Sequence, residues 1–319
     1  MPVTRRTLAR ALNRAPNRAL DRFRASLATL LLGLAGAAPA AAAPPITDEE
    51  IGRATYRIEG QSERLRMRGG RWEGPAAAPG SASVPRAQVH TDLVARGDLD
   101  GDGAEEAVVL LEHDPGGSGT FLHLAVLTRR EGRTVMLASH LVGDRVQVRG
   151  LALRGREIVL EVVRAGAQDA SCCPGELATL SWTVQRRRLV PTAGASPTRA
   201  NGRLTPATLA GTRWALSHWT AAEAATPPRP IEIQFEGERL TGNAGCNRFF
   251  ATVSAEGDLP GSLRVSPPGL TRMACEPEAM QAEARFLAAL GATNGFGYRL
   301  GRLVLGSGTA AGGLVFERR

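Results

Sequence analysis

Gly97-Asp98-Leu99-Asp100-Gly101-Asp102-Gly103-Ala104-Glu105-Glu106 runs without a break into Ala107-Val108-Val109-Leu110-Leu111-Glu112. The junction decides how the first half of the chain folds. Asp98, Asp100 and Asp102 alternate, and Gly103 permits a sharp turn, so their carboxylates can converge on one hard cation. Calcium takes about 6–8 oxygens, and Asp98, Asp100, Asp102, the Ala104 carbonyl and Glu106 fall at loop positions one, three, five, seven and nine. A helix-flanked EF-hand would also need a Glu at position twelve. This chain has Val109 there, within a β-branched, apolar run that reads as a strand. The loop therefore opens a β-strand. Its metal-free alternative is an Asp/Gly turn, but acids so closely spaced repel one another unless a cation sits among them.

Working outward, Leu122–Thr128, Val146–Leu153, Ile158–Val163 and Leu180–Val184 are further short runs of strand character. Gly143-Asp144-Arg145 and Arg154-Gly155-Arg156 supply turns between them. A β-rich domain is expected over residues 46–192, with an exposed Pro/Ala/Gly loop from Gly74 to Ser83. Residues 193–206 are small and turn-forming, which reads as a linker. Beyond it, Trp214–Ser217, Ile231–Phe235 and Arg239–Thr241 are strand-like, and Pro277–Leu290 is a helix with Pro at its first position and Gly291 at its stop. Met280, Phe286, Leu287 and Leu290 define its expected apolar stripe. Glu283 interrupts that stripe, so it needs Arg248 or Arg272 as a partner or must reach solvent. The fold class expected is mainly β or α+β, with two β-rich domains and one amphipathic helix in the second.

The 319 residues suffice for about two domains and an address segment at roughly 100–200 residues per domain. The address is legible. Seven Arg and one Asp precede the apolar run Leu27–Ala38, and Ala38-Pro39-Ala40 offers a small-x-small cleavage site, so residues 1–40 read as a secretory signal cut near Ala40. Thr4-Arg5-Arg6-Thr7-Leu8 is only a faint twin-arginine pattern, far from the apolar run, and ordinary secretion is the reading adopted. The run is too short for a membrane span, and no Cys lies nearby to accept a lipid. Of the formal charge of +8, all but +2 is lost with the signal. With 4% aromatic residues and no basic stripe interleaved with rings, nucleic-acid binding is set aside. All 39 basic residues are Arg, which excludes Schiff-base and Walker-type lysine chemistry.

Export makes cystine the natural state of Cys172, Cys173, Cys246 and Cys275. Four cysteines allow three connectivities. Pairing Cys246 with Cys275 within the second half is the reading adopted, leaving Cys172 and Cys173 as a vicinal pair or as free thiols; a crossed arrangement tying the halves together stays open.

Three resemblances add to this. The acidic loop is similar to the Asp-x-Asp-Gly-Asp-Gly calcium loops of FG-GAP-type β proteins. Ala54-Thr55-Tyr56, the Gly97–Glu106 loop, Gly116-Gly117-Ser118-Gly119-Thr120-Phe121, Leu141–Val146 and Cys172-Cys173-Pro174 resemble exported bacterial proteins related to the LppP/LprE lipoproteins. In the second half, Leu209–Trp214, Gly242-Asn243-Ala244-Gly245-Cys246-Asn247-Arg248-Phe249, Leu270-Thr271-Arg272-Met273-Ala274-Cys275 and Met280-x-x-Glu283-x-x-Phe286 occur in order and resemble the META domain, the family of the heat-shock protein HslJ. That resemblance covers about 207–319 and implies a small β-rich domain with a helix, found in exported or envelope proteins linked to stress or drug resistance, without an agreed catalytic role.

Physically, Trp214 reads as a core anchor, and the glycines before Cys246 suit a bend whose backbone groups Asn247 and Thr271 could satisfy. Asn247, Arg248, Thr271 and Arg272 are alternatively a ligand site. No Gly-x-Ser-x-Gly, His-Glu-x-x-His or paired His and nucleophile is present. The reading adopted is therefore a non-catalytic periplasmic or secreted protein that binds or protects an envelope component or protein, with calcium as its one expected cofactor. An extracellular protease inhibitor and a hydrolase using acids of the first domain are the alternatives.

Overall fold

The computed structural model describes residues 44–76, 83–170, 172–192, 199–306 and 313–319. The expected signal segment, most of the Gly74–Ser83 loop and residues 193–198 of the expected linker lie outside the described residues.

The chain opens with a short helix α1 (Asp48–Arg53) and the small strands β1 (Thr55–Tyr56) and β2 (Leu65–Arg66). Thr47 caps α1 in a reciprocal box with Glu50, which satisfies two otherwise orphaned amides. Next come β3 (Arg71–Glu73), β4 (Arg86–Gly97), β5 (Glu106–Asp114), β6 (Phe121–Arg130) and β7 (Arg133–Asp144), which form one antiparallel sheet in that order. The strands β8 (Gln147–Arg154), β9 (Glu157–Arg164), β10 (Glu176–Gln185), β11 (Arg188–Pro191) and β12 (Arg199–Arg203) form a second, in which β11 and β12 both pair with β10.

Alternation explains how the layers stack. Val108, Leu110, Leu124 and Val126 from one face of β5 and β6 pack with Ile158, Leu160, Val162, Leu180 and Trp182 of the second sheet. Val109, Leu111, Ala125 and Leu127 point the other way and bury Ile51, Tyr56 and Leu65 of the leading segment. Both faces of the central strands are thus covered, so β5 is buried almost continuously instead of alternating in and out.

Part of the expected linker is ordered. Residues 199–203 are β12, hydrogen-bonded along β10, and Leu204 is buried with its amide on the Gly175 carbonyl at 2.8 Å. Composition could not show this, because the strand is held by its backbone partner.

The second half runs β13 (Arg213–Thr220), β14 (Glu223–Ala224), β15 (Glu232–Glu236), β16 (Arg239–Asn243), β17 (Arg248–Ser254), β18 (Arg264–Val265), β19 (Gly269–Leu270), the helix α2 (Pro277–Gly291), β20 (Gly295–Arg299), β21 (Arg302–Gly306) and β22 (Leu314–Arg318). Their sheet follows the order β18-β17-β16-β15-β13-β22-β21-β20 and curls like a barrel. A Ser262–Gly295 bridge, with the Phe296 amide on the Gly261 carbonyl at 2.7 Å, ties its outer strands. Phe286 and Leu290 of α2 enter a core with Trp214, Ile233, Phe235, Phe249, Phe296 and Phe316.

Pro277 begins α2 as expected, but its buried stripe differs from the one read in the sequence. Ala279, Glu283, Phe286 and Leu290 are buried, and Met280 is exposed. Spacings of four, three and four keep the first set on one line, and Met280 lies one residue's rotation away.

The two halves share cores. Val163, Leu177 and Leu204 join the second core, and Leu300 joins the first. The Tyr298 amide donates to Gln147 Oε1 at 2.9 Å, the Gly301 amide to the Val148 carbonyl at 3.0 Å, and Arg302 reaches Asp92 at 3.0 Å.

Candidate functional site

Between β4 and β5 the acidic loop is wound by its own side chains. Asp98 accepts from the amides of Gly101 at 2.6 Å and Gly103 at 3.3 Å, Asp100 from Asp102 at 3.2 Å, and Asp102 from Ala104 at 2.8 Å. Oxygens of Asp98, Asp100 and Glu106 lie within 4.8 Å of one another. Asp102 is not in that group; its carboxylate turns onto the Ala104 amide. Of the four carboxylates expected as ligands, the structure therefore brings three together.

Glu106 sits at the base of the loop and is completely buried. Its Oε2 accepts from the Leu99 amide at 2.9 Å and its Oε1 from the Thr128 hydroxyl at 2.8 Å. Burial raises its carboxyl above the usual range, opposed by these two donors and reinforced by Asp100 and Asp102. An oxygen-only set of carboxylates with one member desolvated fits a hard divalent cation, which would offset the repulsion. Arg156, on the β8–β9 turn, stands 4.0 Å from Asp98. Neither Thr128 nor Arg156 was legible beforehand, since each arrives from a different strand or turn.

A second cluster joins β16, β17 and α2. Cys246 and Cys275 are bonded, with Cα atoms 5.9 Å apart. Beside them Asn247, 5% exposed, donates its backbone amide to Glu283 Oε2 at 2.5 Å and its side-chain amide to Oε1 at 2.9 Å. Its Oδ1 accepts from the Thr271 hydroxyl at 2.9 Å and the Met273 amide at 2.8 Å. Glu283 is thus partnered by Asn247, neither by Arg248 nor Arg272, both of which are exposed. An amide can serve both oxygens of a buried carboxyl without burying a guanidinium beside it.

Of the four residues read as an alternative ligand site, Asn247 turns its polar atoms into this clasp, Arg248 and Thr271 line one cleft together, and Arg272 is exposed. The glycines have the role read for them. Gly245 takes φ +106°, and a Cβ on Gly242 would overlap the Glu232 carbonyl of the paired strand.

A curled antiparallel sheet packed around one helix, with its turn and helix entry joined by cystine and an Asn–Glu clasp, defines the second half as a small α+β fold. Residues 207–318 match the model of the META domain, so this part of the chain is a META domain. The match does not extend to residues 46–192, and it lends no support to their likeness to LppP/LprE proteins. A protein from Burkholderia xenovorans, solved by NMR, is 28% identical over 41% of this chain and 99% of its own, with a TM-score of 0.29. No curated protein matches the chain. Among the described residues, no helix is long and apolar enough to cross a membrane.

Proposed function

We propose that the protein is an exported, non-catalytic binding protein of the periplasm or extracellular space, in which a META domain is carried on a calcium-steadied β domain. The observation that carries this reading is the pairing of all four cysteines within their own halves, Cys246 with Cys275 and Cys172 with Cys173. Cystine of this kind suits an oxidising compartment. The META domain is compatible with such a role, and its Asn247 cluster reads as architecture because its buried polar groups are used internally.

Calcium would be held by Asp98, Asp100 and Glu106, where it would neutralise charge and fix the β4–β5 connection. The partner proposed is an envelope component or protein. The binding role is tested by passing envelope extract over immobilised mature chain: recovery of one saturable partner supports it. Purified chain that turns over a substrate, with activity lost in an Asp100→Asn variant, would instead establish the hydrolase reading.

A further inference from the structure

The β9–β10 connection, described at residues 165–170 and 172–175, carries Cys172-Cys173-Pro174 and has anchors besides its sulfurs. Asp169, whose side chain is 1% exposed, accepts the amides of Gly166 at 2.8 Å and Gly175 at 2.9 Å, drawing both ends of the loop onto one carboxylate. Arg203 of β12 pairs with the same group at 2.7 Å. The Cys173 amide donates to the Ala170 carbonyl at 2.9 Å. These bonds, with the burial of Pro174 and Gly175, give the loop anchors other than sulfur.

The two cystines therefore differ in kind. Cys246–Cys275 spans a sequence separation of 29 and limits the freedom of the unfolded chain, whereas a bond between neighbours closes only the small ring through their shared peptide and offers little such stabilisation. They also differ in access. Cys246 is 5% exposed, while Cys172 is exposed and Cys173 half-buried. Cys172 lines a cleft of about 630 Å³ between the halves, whose other walls include Leu122, Val148, Tyr298 and Arg299. A bond with little structural use, displayed at the wall of a cleft on a loop with other anchors, is available for chemistry.

We propose that Cys172 and Cys173 form a thiol–disulfide exchange site that accepts two electrons from a dithiol and returns them to a disulfide. A donor thiolate attacks Sγ of Cys172, the more exposed residue of the two. The Cys172–Cys173 bond breaks, and Cys173 Sγ leaves as a thiolate that takes a proton from water. The donor's second thiol then attacks its own sulfur in the mixed disulfide, releasing the Cys172 thiolate. The donor ends as a disulfide and the pair as two thiols; reoxidation by a small disulfide reverses the steps.

Differential alkylation of the full mature chain tests this, with dithiothreitol in native buffer followed by peptide mass spectrometry. Cys172 and Cys173 are expected to label roughly tenfold or more faster than Cys246 and Cys275. The melting temperature should be unchanged, and glutathione disulfide should restore the bond. A Cys172→Ser, Cys173→Ser chain should melt like the wild type. Resistance of the pair until the protein unfolds, reduction of both cystines at one rate, or failure of the bond to re-form would each overturn the proposal.

Discussion

Glu106 concentrates two opposed demands in one side chain: a carboxyl with no exposure to water, and two carboxylates beside it. Replacing it with Gln retains an acceptor for the Leu99 amide and a donor for Thr128 while removing the charge. In chelator, Glu106→Gln should be as stable as the wild type or more so. In calcium the wild type should gain about 2.7 kcal/mol at a hundred times Kd, a gain the variant should lose. Equal calcium shifts in thermal melts of the two proteins would remove the cation from the site.

His123, 1% exposed on β6, offers a separate test. Burial first, and then His113 and His140, push its pKa down to about 4 from 6.5. Between those values the unfolded chain binds the extra proton, so stability should be full above about pH 6.5 and fall through pH 4, by roughly 3 kcal/mol from this group. A His123→Phe variant melted across that range should show a flatter profile; an unchanged slope would exclude His123 as its source.

At this scale the spacing of Asp98, Asp100 and Glu106 was readable, because a local loop supplies all three. Thr128 was not, since it is brought to Glu106 from the neighbouring strand. Asn247 was read as a backbone satisfier, yet its pairing with Glu283 joins residues 36 apart in sequence through a packed helix.

Among the elements, the clasp between the β16–β17 turn and α2 has two parts that can be separated. Opening Cys246–Cys275 with a double Ser replacement should cost roughly 3–4 kcal/mol through the freedom returned to the unfolded chain. Asn247→Ala keeps the cystine but strands the Glu283 carboxyl and the Met273 amide, and should cost about 2–4 kcal/mol. Denaturant midpoints measure both, and a loss below about 0.5 kcal/mol for Asn247→Ala would show the cluster to be ornamental.

The strands β5, β6, β8, β9 and β10 were legible as runs of apolar and β-branched residues bounded by turns, and α2 from Pro277 and its periodicity. The strands β4 and β7 escaped notice because their bulged, half-exposed sequences show neither clean alternation nor a continuous apolar run. Residues 199–203 had the composition of a linker and became β12 only because β10 had backbone groups to pair.

Across the whole molecule, docking of the META domain on the first domain follows from shared cores and from bonds such as Gln147 to Tyr298. None of these contacts leaves a pattern in sequence, as bonds such as Gln147 to Tyr298 and Asp92 to Arg302 join residues 151 and 210 apart. The mature chain should consequently unfold in one calorimetric transition; two well-separated transitions would mean that the halves are independent. Export is the central claim, since cystine and calcium both depend on the compartment. Its most direct test is intact-mass and thiol analysis of the protein recovered from fractionated cells. The expected product lies outside the cytosol, begins after Ala40 and holds four oxidised cysteines. A cytosolic product that retains Met1 with four free thiols would contradict it.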